Sequence, residues 1–152
     1  MDTNQMIIIV SLAVAAMLFS AVLYLRQRAR RSRPEEYDLM EGHEFEYYCA
    51  ELLRKCGFQE VQVTRGSGDY GIDILAEKDG VTYAIQCKCY NGPVGVKAVQ
   101  EAYAGRDYYD RMVGAVLTNQ YFTQPALDAA GKLKILLWDR GYLEDMVEDA
   151  EQ

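Results

Sequence analysis

Hydrophobic and polar positions fall into two regimes along this chain. From Met6 to Leu25 the run MIIIVSLAVAAMLFSAVLYL carries no charge over 20 positions. At about 1.5 Å per residue it reaches roughly 30 Å, the hydrocarbon thickness of a bilayer. Beyond it the pattern becomes periodic. Phe45, Tyr48, Leu52 and Cys56 recur at spacings of three and four, which predicts a helix from Leu39 to Cys56 stopped by Gly57. Val61 and Val63 alternate with polar residues, predicting a strand; Arg65-Gly66-Ser67-Gly68 is a turn. A second strand is predicted over Ile72–Glu77 and a third over Val81–Cys89, joined through Asp79-Gly80, a hairpin sequence. After the break at Asn91-Gly92-Pro93, Val96–Tyr109 reads as a helix and Met112–Thr118 as a buried strand. Thr123–Leu133 is a helix with Thr123 as N-cap and Pro125 just inside it, and Lys134–Asp139 a short strand. Gly141 onward is an acidic, frayed terminal helix. This order, helix, three meandering strands, helix, strand, helix, strand, predicts an α/β domain with a mixed central sheet flanked by helices.

Charge changes the meaning of the first run. Arg26, Arg28, Arg30, Arg31 and Arg33 follow it directly, and only Asp2 precedes it. A secretory signal places its basic residues before the apolar segment, so the order argues against one. The run is expected to be a single transmembrane helix spanning about 6–25. The positive-inside rule then puts the N-terminus outside and the rest of the chain in the cytoplasm, at the plasma (inner) membrane. The arginines would sit against lipid headgroups. Ser11/Ala15 and Ala16/Ser20 are small pairs that suit helix packing, or unpatterned small residues. The expected organisation is an anchor over 1–25, a basic linker over 26–37, a domain over 38–140 and an acidic helix or tail over 141–152.

The whole chain of 152 residues carries −7, but residues 34–152, with 11 basic and 22 acidic side chains, carry −11. A hydrophobic content of 50% excludes a disordered chain. Nucleic-acid-binding domains are usually basic, so the acidity argues against a generic binder of that kind. Four cysteines are too sparse for a disulfide scaffold; in the cytoplasm Cys49, Cys56, Cys87 and Cys89 are expected to be free, buried thiols. His43 is the single histidine, which excludes a histidine-built zinc site or triad.

Two predicted strands carry unusual polar groups. Asp73 follows a glycine-rich turn, and Gln86 and Lys88 share one face of an otherwise apolar strand. A hairpin across Asp79-Gly80 would bring Asp73 to its open end near Lys88. A carboxylate and an amide oxygen, completed by backbone carbonyls, suit Mg²⁺, and a lysine beside them suits a phosphate. The same residues also suit a structural Asp–Lys ion pair.

One ordered set of short motifs carries a family resemblance. Gly42-x-x-Phe45-Glu46, Leu52-Leu53, Gly57-Phe58, Val63-Thr64, Asp69-x-Gly71-x-Asp73, Gln86-x-Lys88-x-Tyr90, Val94 and Val99-x-Glu101 occur in sequence. Over about Glu41 to Ala130 this resembles the catalytic domain of Mrr-like restriction endonucleases, in the PD-(D/E)XK nuclease superfamily. The resemblance implies a restriction-endonuclease-like α-β-β-β-α-β core and DNA endonuclease activity in DNA restriction–modification, with Mg²⁺ or Mn²⁺ as cofactor. It implies catalytic roles for Asp73, Gln86, Lys88 and Glu46. The metal ligands would be Asp73, Gln86, Glu46 and the backbone carbonyl of Cys87. Gln86 stands where an acidic residue is more usual, which removes a negative charge from the metal site. Asp69 matches a second acidic position, or is a turn residue. Glu101 orients a site group, or lies on a solvated helix face; Tyr90 borders a DNA groove, or packs. The expected partners are DNA, membrane lipid and a second copy of the chain, since double-strand cutting needs two sites. The other function these residues suit is a nuclease-like binding module that does not cut.

Overall fold

The computed structural model describes residues 11–23, 35–64 and 70–151. The chain divides into two compact units, Met1–Glu35 and Glu36–Gln152. In the first, α1 (residues 11–23) is helical with exposed side chains, and the Ser20 hydroxyl donates to the Ala16 carbonyl at 2.9 Å. Among the described residues no helix is long and apolar enough to cross a membrane. The expected span extends beyond the described residues at both ends. The five linker arginines lie outside them entirely.

The second unit opens with a 3-10 turn, Glu36–Leu39, followed by α2 (Gly42–Lys55), β1 (Gln59–Val63), β2 (Ile74–Lys78) and β3 (Val81–Lys88). Then come α3 (Val96–Tyr108), β4 (Val113–Thr118), α4 (Gln124–Leu133), β5 (Ile135–Trp138) and α5 (Arg140–Ala150). The five strands are ordered β1-β2-β3-β4-β5. The first three pair antiparallel, and β3–β4 and β4–β5 pair parallel. The sheet is therefore mixed: hairpin chemistry builds one half, and helical crossovers build the other. Asp79 (φ 53°) and Gly80 (φ 78°) form the β2–β3 turn with both residues left-handed, the geometry favoured by a two-residue hairpin.

Several boundaries shift for local reasons. Helix α2 starts at Gly42, not Leu39, because Glu41 caps it in a reciprocal box with Glu44. The second strand starts at Ile74, not Ile72, because Tyr70 (φ 50°) and Gly71 (φ 75°) turn the chain immediately before it. The terminal helix is not frayed: Asp139 caps it, and Leu143 and Met146 are buried.

Side-chain size differs between the two faces of the sheet. Large residues fill the side covered by α2 and α5, among them Phe45, Leu53, Phe58, Ile85, Leu117 and Trp138. On the side covered by α3 and α4 the core is Val94, Val99, Val116, Ile135 and four alanines. Glycine brings α3 closer still: a Cβ on Gly105 would lie 2.2 Å from Ile72 Cγ1, and one on Gly114 3.2 Å from the Ala102 carbonyl oxygen.

All four cysteines are free. Cys49 and Cys87 are buried, and Cys56 and Cys89 are half-buried, donating to backbone carbonyls. Burial pushes the Cys56 and Cys89 thiols up. A hydrogen bond with Cys49, then burial, pushes Cys87 well up.

Candidate active site

The β2–β3 register runs from Lys78 opposite Val81 to Ile74 opposite Ile85. Asp73 and Gln86 are the next residues outward on the two strands. The Asp73 N–H donates to the Ile85 carbonyl and the Thr64 N–H to the Asp73 carbonyl, each at 2.9 Å. The Asp73 carboxylate then accepts the Cys87 N–H through Oδ2 at 2.7 Å. A side chain thus continues the ladder where β2 ends, and this fixes the half-buried carboxylate against β3.

Along β3, Ile85 and Cys87 enter the large-residue core, while Gln86 and Lys88 face α3. There they meet Glu101. Gln86 Nε2 donates to Glu101 Oε2 at 2.7 Å, and Lys88 Nζ lies 3.3 Å from the same oxygen. Lys97 Nζ is 3.6 Å from Oε1. Burial by itself would raise the Glu101 pKa, but the hydrogen bond from Gln86 and the charge and hydrogen bond of Lys88 outweigh it and hold the group below its usual value. An ionised carboxylate only accepts, so Glu101 holds the amide with Nε2 toward itself. Among the described residues Gln86 Oε1 is left buried without a hydrogen-bond partner. Such an orphaned acceptor costs about 1–3 kcal/mol unless something donates to it or coordinates it.

Gly71 makes this packing possible. A Cβ there would lie 2.9 Å from Glu101 Cβ and 3.4 Å from Gln86 Nε2, and the φ of +75° disfavours any other residue.

The remaining candidates are placed differently. Glu46 sits on α2, on the far side of the sheet from α3, and its Oε2 pairs with His43 Nδ1 at 2.8 Å. The charges of Asp73 and Glu46 both help to raise the Cys87 thiol, so both act on that point of β3. Gln86, Lys88 and Glu101 thus meet on the α3 side, Asp73 holds the N–H of Cys87, the residue between Gln86 and Lys88, and Glu46 lies on α2. Asp69 lies outside the described residues. Tyr90 is exposed and lines a cleft of about 90 Å³ with Lys88, Lys97 and Glu101.

The sequence reading missed a buried network that holds the outgoing end of β3. Thr118 Oγ1 donates to the Lys88 carbonyl at 2.7 Å. Asn119 accepts the Tyr90 N–H at 2.9 Å and donates to the Tyr90 carbonyl at 3.1 Å and to Asp38 Oδ1 at 3.0 Å. Arg140 forks onto both Asp38 oxygens at 2.9 and 2.8 Å, which holds its pKa far above the usual value despite burial. Thr118-Asn119 had a readable signal, a polar pair at the carboxyl end of a buried parallel strand, where α/β sites gather. Asp38 and Arg140 had none, being about a hundred residues apart.

The donor set fits a divalent cation that keeps most of its water. Asp73 supplies a carboxylate and Gln86 an unsatisfied neutral oxygen, and Mg²⁺ is commonly held by one or two carboxylates plus water and substrate oxygens. Among the described residues no group of three or more acidic, cysteine or histidine side chains could hold a metal ion.

Comparison with known proteins agrees with this fold. Residues 37–147 match the family Mrr_cat, restriction endonuclease. Three solved structures share the fold. A protein of unknown function, AF1548, is 26% identical with a TM-score of 0.57, the match covering 71% of this chain and 66% of that one. The DNA modification-dependent restriction endonuclease AspBHI is 19% identical, TM-score 0.58, with 82% of this chain and 38% of that one covered. The MspJI restriction endonuclease, solved in complex with a 27-mer oligonucleotide, is 22% identical, TM-score 0.53, with 69% and 27% covered. This chain therefore corresponds to just under two thirds of AF1548 and to well under half of each endonuclease. No curated protein sequence matches it.

Proposed function

Because the chain belongs to the restriction endonuclease family Mrr_cat, we propose that it is a divalent-metal-dependent endonuclease that hydrolyses DNA phosphodiester bonds. The observation that carries this reading is the buried Gln86 Oε1, an acceptor with no donor among the described residues, on the residue before Cys87, whose N–H the Asp73 carboxylate accepts. Asp73, Gln86 and the Cys87 backbone carbonyl would hold Mg²⁺ or Mn²⁺, with Glu46 adding negative charge from α2. When bound, such an ion polarises a water and offsets phosphate charge. The chain's own residues do the rest. The Cys87 N–H fixes the Asp73 carboxylate, and Glu101 fixes the Gln86 amide. Lys88 has three N–H donors, one directed to Glu101; the others are available to a phosphate oxygen.

The full chain should nick plasmid DNA in Mg²⁺ or Mn²⁺ and lose activity in EDTA. Asp73→Asn keeps an acceptor for the Cys87 N–H but removes the charge, and Lys88→Met keeps the stem. Each should lower cleavage by about 10²–10⁴-fold with the fold intact by circular dichroism. Cleavage that survives both substitutions overturns the assignment.

We further propose that residues 6–25 anchor the enzyme in a membrane with the nuclease domain on the cytoplasmic side, and that it acts as a homodimer. The full chain should then resist carbonate extraction from membranes, and a chain beginning at Glu35 should not.

One observation favours a second reading, a nuclease-like module that binds without cutting. A neutral Gln86 replaces an acidic ligand, and Glu46 is engaged by His43. Calorimetry would then find no divalent-metal site, while salt-dependent DNA binding would persist.

A further inference from the structure

Two tyrosines next to the site are stacked on each other in the open. The Tyr70 and Tyr108 rings lie 3.7 Å apart at 24°, and both are more than half exposed, at 56% and 55%. Tyr109 meets the edge of Tyr108 at 5.0 Å. Tyr70 adopts a left-handed φ of 50°, a backbone state that bulky residues rarely occupy. The stack is also braced. The Tyr70 carbonyl lies against Gly105, where a Cβ would sit only 3.0 Å away, so the turn is pressed onto α3.

Its position relative to the chemistry is fixed from two directions. Tyr70 immediately precedes Gly71, the residue packed on Gln86 and Glu101. Tyr108 lies two helical turns beyond Glu101 on the same face of α3, about 10 Å along the axis. That is about three nucleotide steps of a helical strand, and fewer of a stretched one. A strand running from the cleft along α3 would bring a base about three steps from the site to the aromatic faces.

Charge points the same way. Residues 34–152 carry −11, so a phosphate backbone finds little non-specific attraction here. Arg106 pairs with Asp107, and Lys88 and Lys97 reach Glu101. Contacts that do not depend on charge therefore gain weight in holding a strand, and stacking on an aromatic face is the main such contact.

We propose that the Tyr70–Tyr108 stack is a platform for an unpaired base of the substrate strand, close to the scissile position, so that the site takes single-stranded or locally unpaired DNA in preference to intact duplex. This rests on the nuclease reading for its ligand class. The outer face of the stack accepts one base plane, and a paired base, already stacked on both sides, cannot use it.

The test measures binding by the full chain in Ca²⁺, so that cleavage does not interfere. The probes are a labelled 12-nucleotide single strand carrying one 2-aminopurine and its duplex. Tyr108→Ala should weaken single-strand binding by at least about fivefold and duplex binding by less than twofold. Tyr108→Phe, which keeps the ring, should retain the affinity, and Tyr108→Leu, which keeps only apolar bulk, should not. The 2-aminopurine emission should be quenched on the wild type and not on Tyr108→Ala. The dependence of single-strand affinity on salt should be shallow. Equal losses on both probes, full affinity in Tyr108→Leu, or no binding of the single strand overturn the proposal. So does a sedimentation result in which Tyr108→Ala separates a dimer into monomers, since the occupant is then a second copy. Cleavage is scored separately in Mg²⁺: tyrosine-dependent binding without cleavage sinks the nuclease reading alone, and cleavage without tyrosine-dependent binding sinks the platform alone.

Discussion

The two faces of the central sheet solve different problems. The face under α2 and α5 is filled with large apolar side chains, including Phe45, Leu53 and Trp138. The face under α3 and α4 is built mostly from alanine, valine and glycine, and it admits a buried amide whose oxygen has no partner among the described residues. Burying a large apolar side chain contributes about 1.5–3 kcal/mol, so the first face supplies most of the hydrophobic stabilisation. The second sacrifices some of that. Small residues let α3 approach closely enough for Glu101 to reach across to Gln86 and Lys88. The lesson is that packing volume on one side of a sheet lets the other side hold polar groups that packing alone would reject.

Substitutions can break this contrast or sharpen it. The largest effect should come from Gln86→Met, read as activity. It removes the orphaned oxygen at nearly constant volume, so cleavage should fall at least about 100-fold while urea unfolding moves by no more than about 1 kcal/mol in either direction. A large loss of stability instead would mean that the amide is structural. On the opposite face Phe45→Ala, at a fully buried position, should cost about 3–5 kcal/mol in the same unfolding experiment. Arg140→Ala removes the ionic partner of Asp38 at a nearly buried position and should cost about 3 kcal/mol, with the Tyr90 segment becoming accessible to hydrogen exchange. Gly105→Ala tests the close approach directly. Its Cβ would clash with Ile72, so about 1–3 kcal/mol and a drop in cleavage are expected together.

The smallest effect concerns pH. Glu101 has a folded-state pKa below its unfolded value, so its ionisation contributes stability that is present above the unfolded pKa and lost as pH falls through the folded one. The group is about a third exposed, so the contribution is modest. Thermal melts of Glu101→Gln should therefore match those of the wild type more closely below about pH 4 than at pH 7. A gap between the two that is constant across that range would separate the ion pairs from stability altogether.

Much of the architecture was legible locally. Periodicity, the Asp79-Gly80 turn, the Thr123 cap and the apolar run ending at Thr118 each act over a few residues, and the observed elements follow them within a few positions. The acidic terminal helix was misread because its charges dominate the composition, while its docking rests on two buried residues, Leu143 and Met146. Strand alternation was enough to put Gln86 and Lys88 on one face. It was not enough to assign their partner, because Glu101 suits a solvated helix face equally well until α3 is laid on the sheet.

What the sequence by itself determined is the element order, the mixed sheet and the types of group available for chemistry, because these follow from short-range periodicity and side-chain chemistry. Only the tertiary structure decided which of those groups meet. Glu101 bridges Gln86 and Lys88, Glu46 turns to His43, and Asp38 reaches Arg140. The physical reason is distance. A hydrogen bond demands about 3 Å between atoms, and for residues far apart in the chain that separation is set by how closely helices pack on a sheet, here by glycines at 71, 105 and 114.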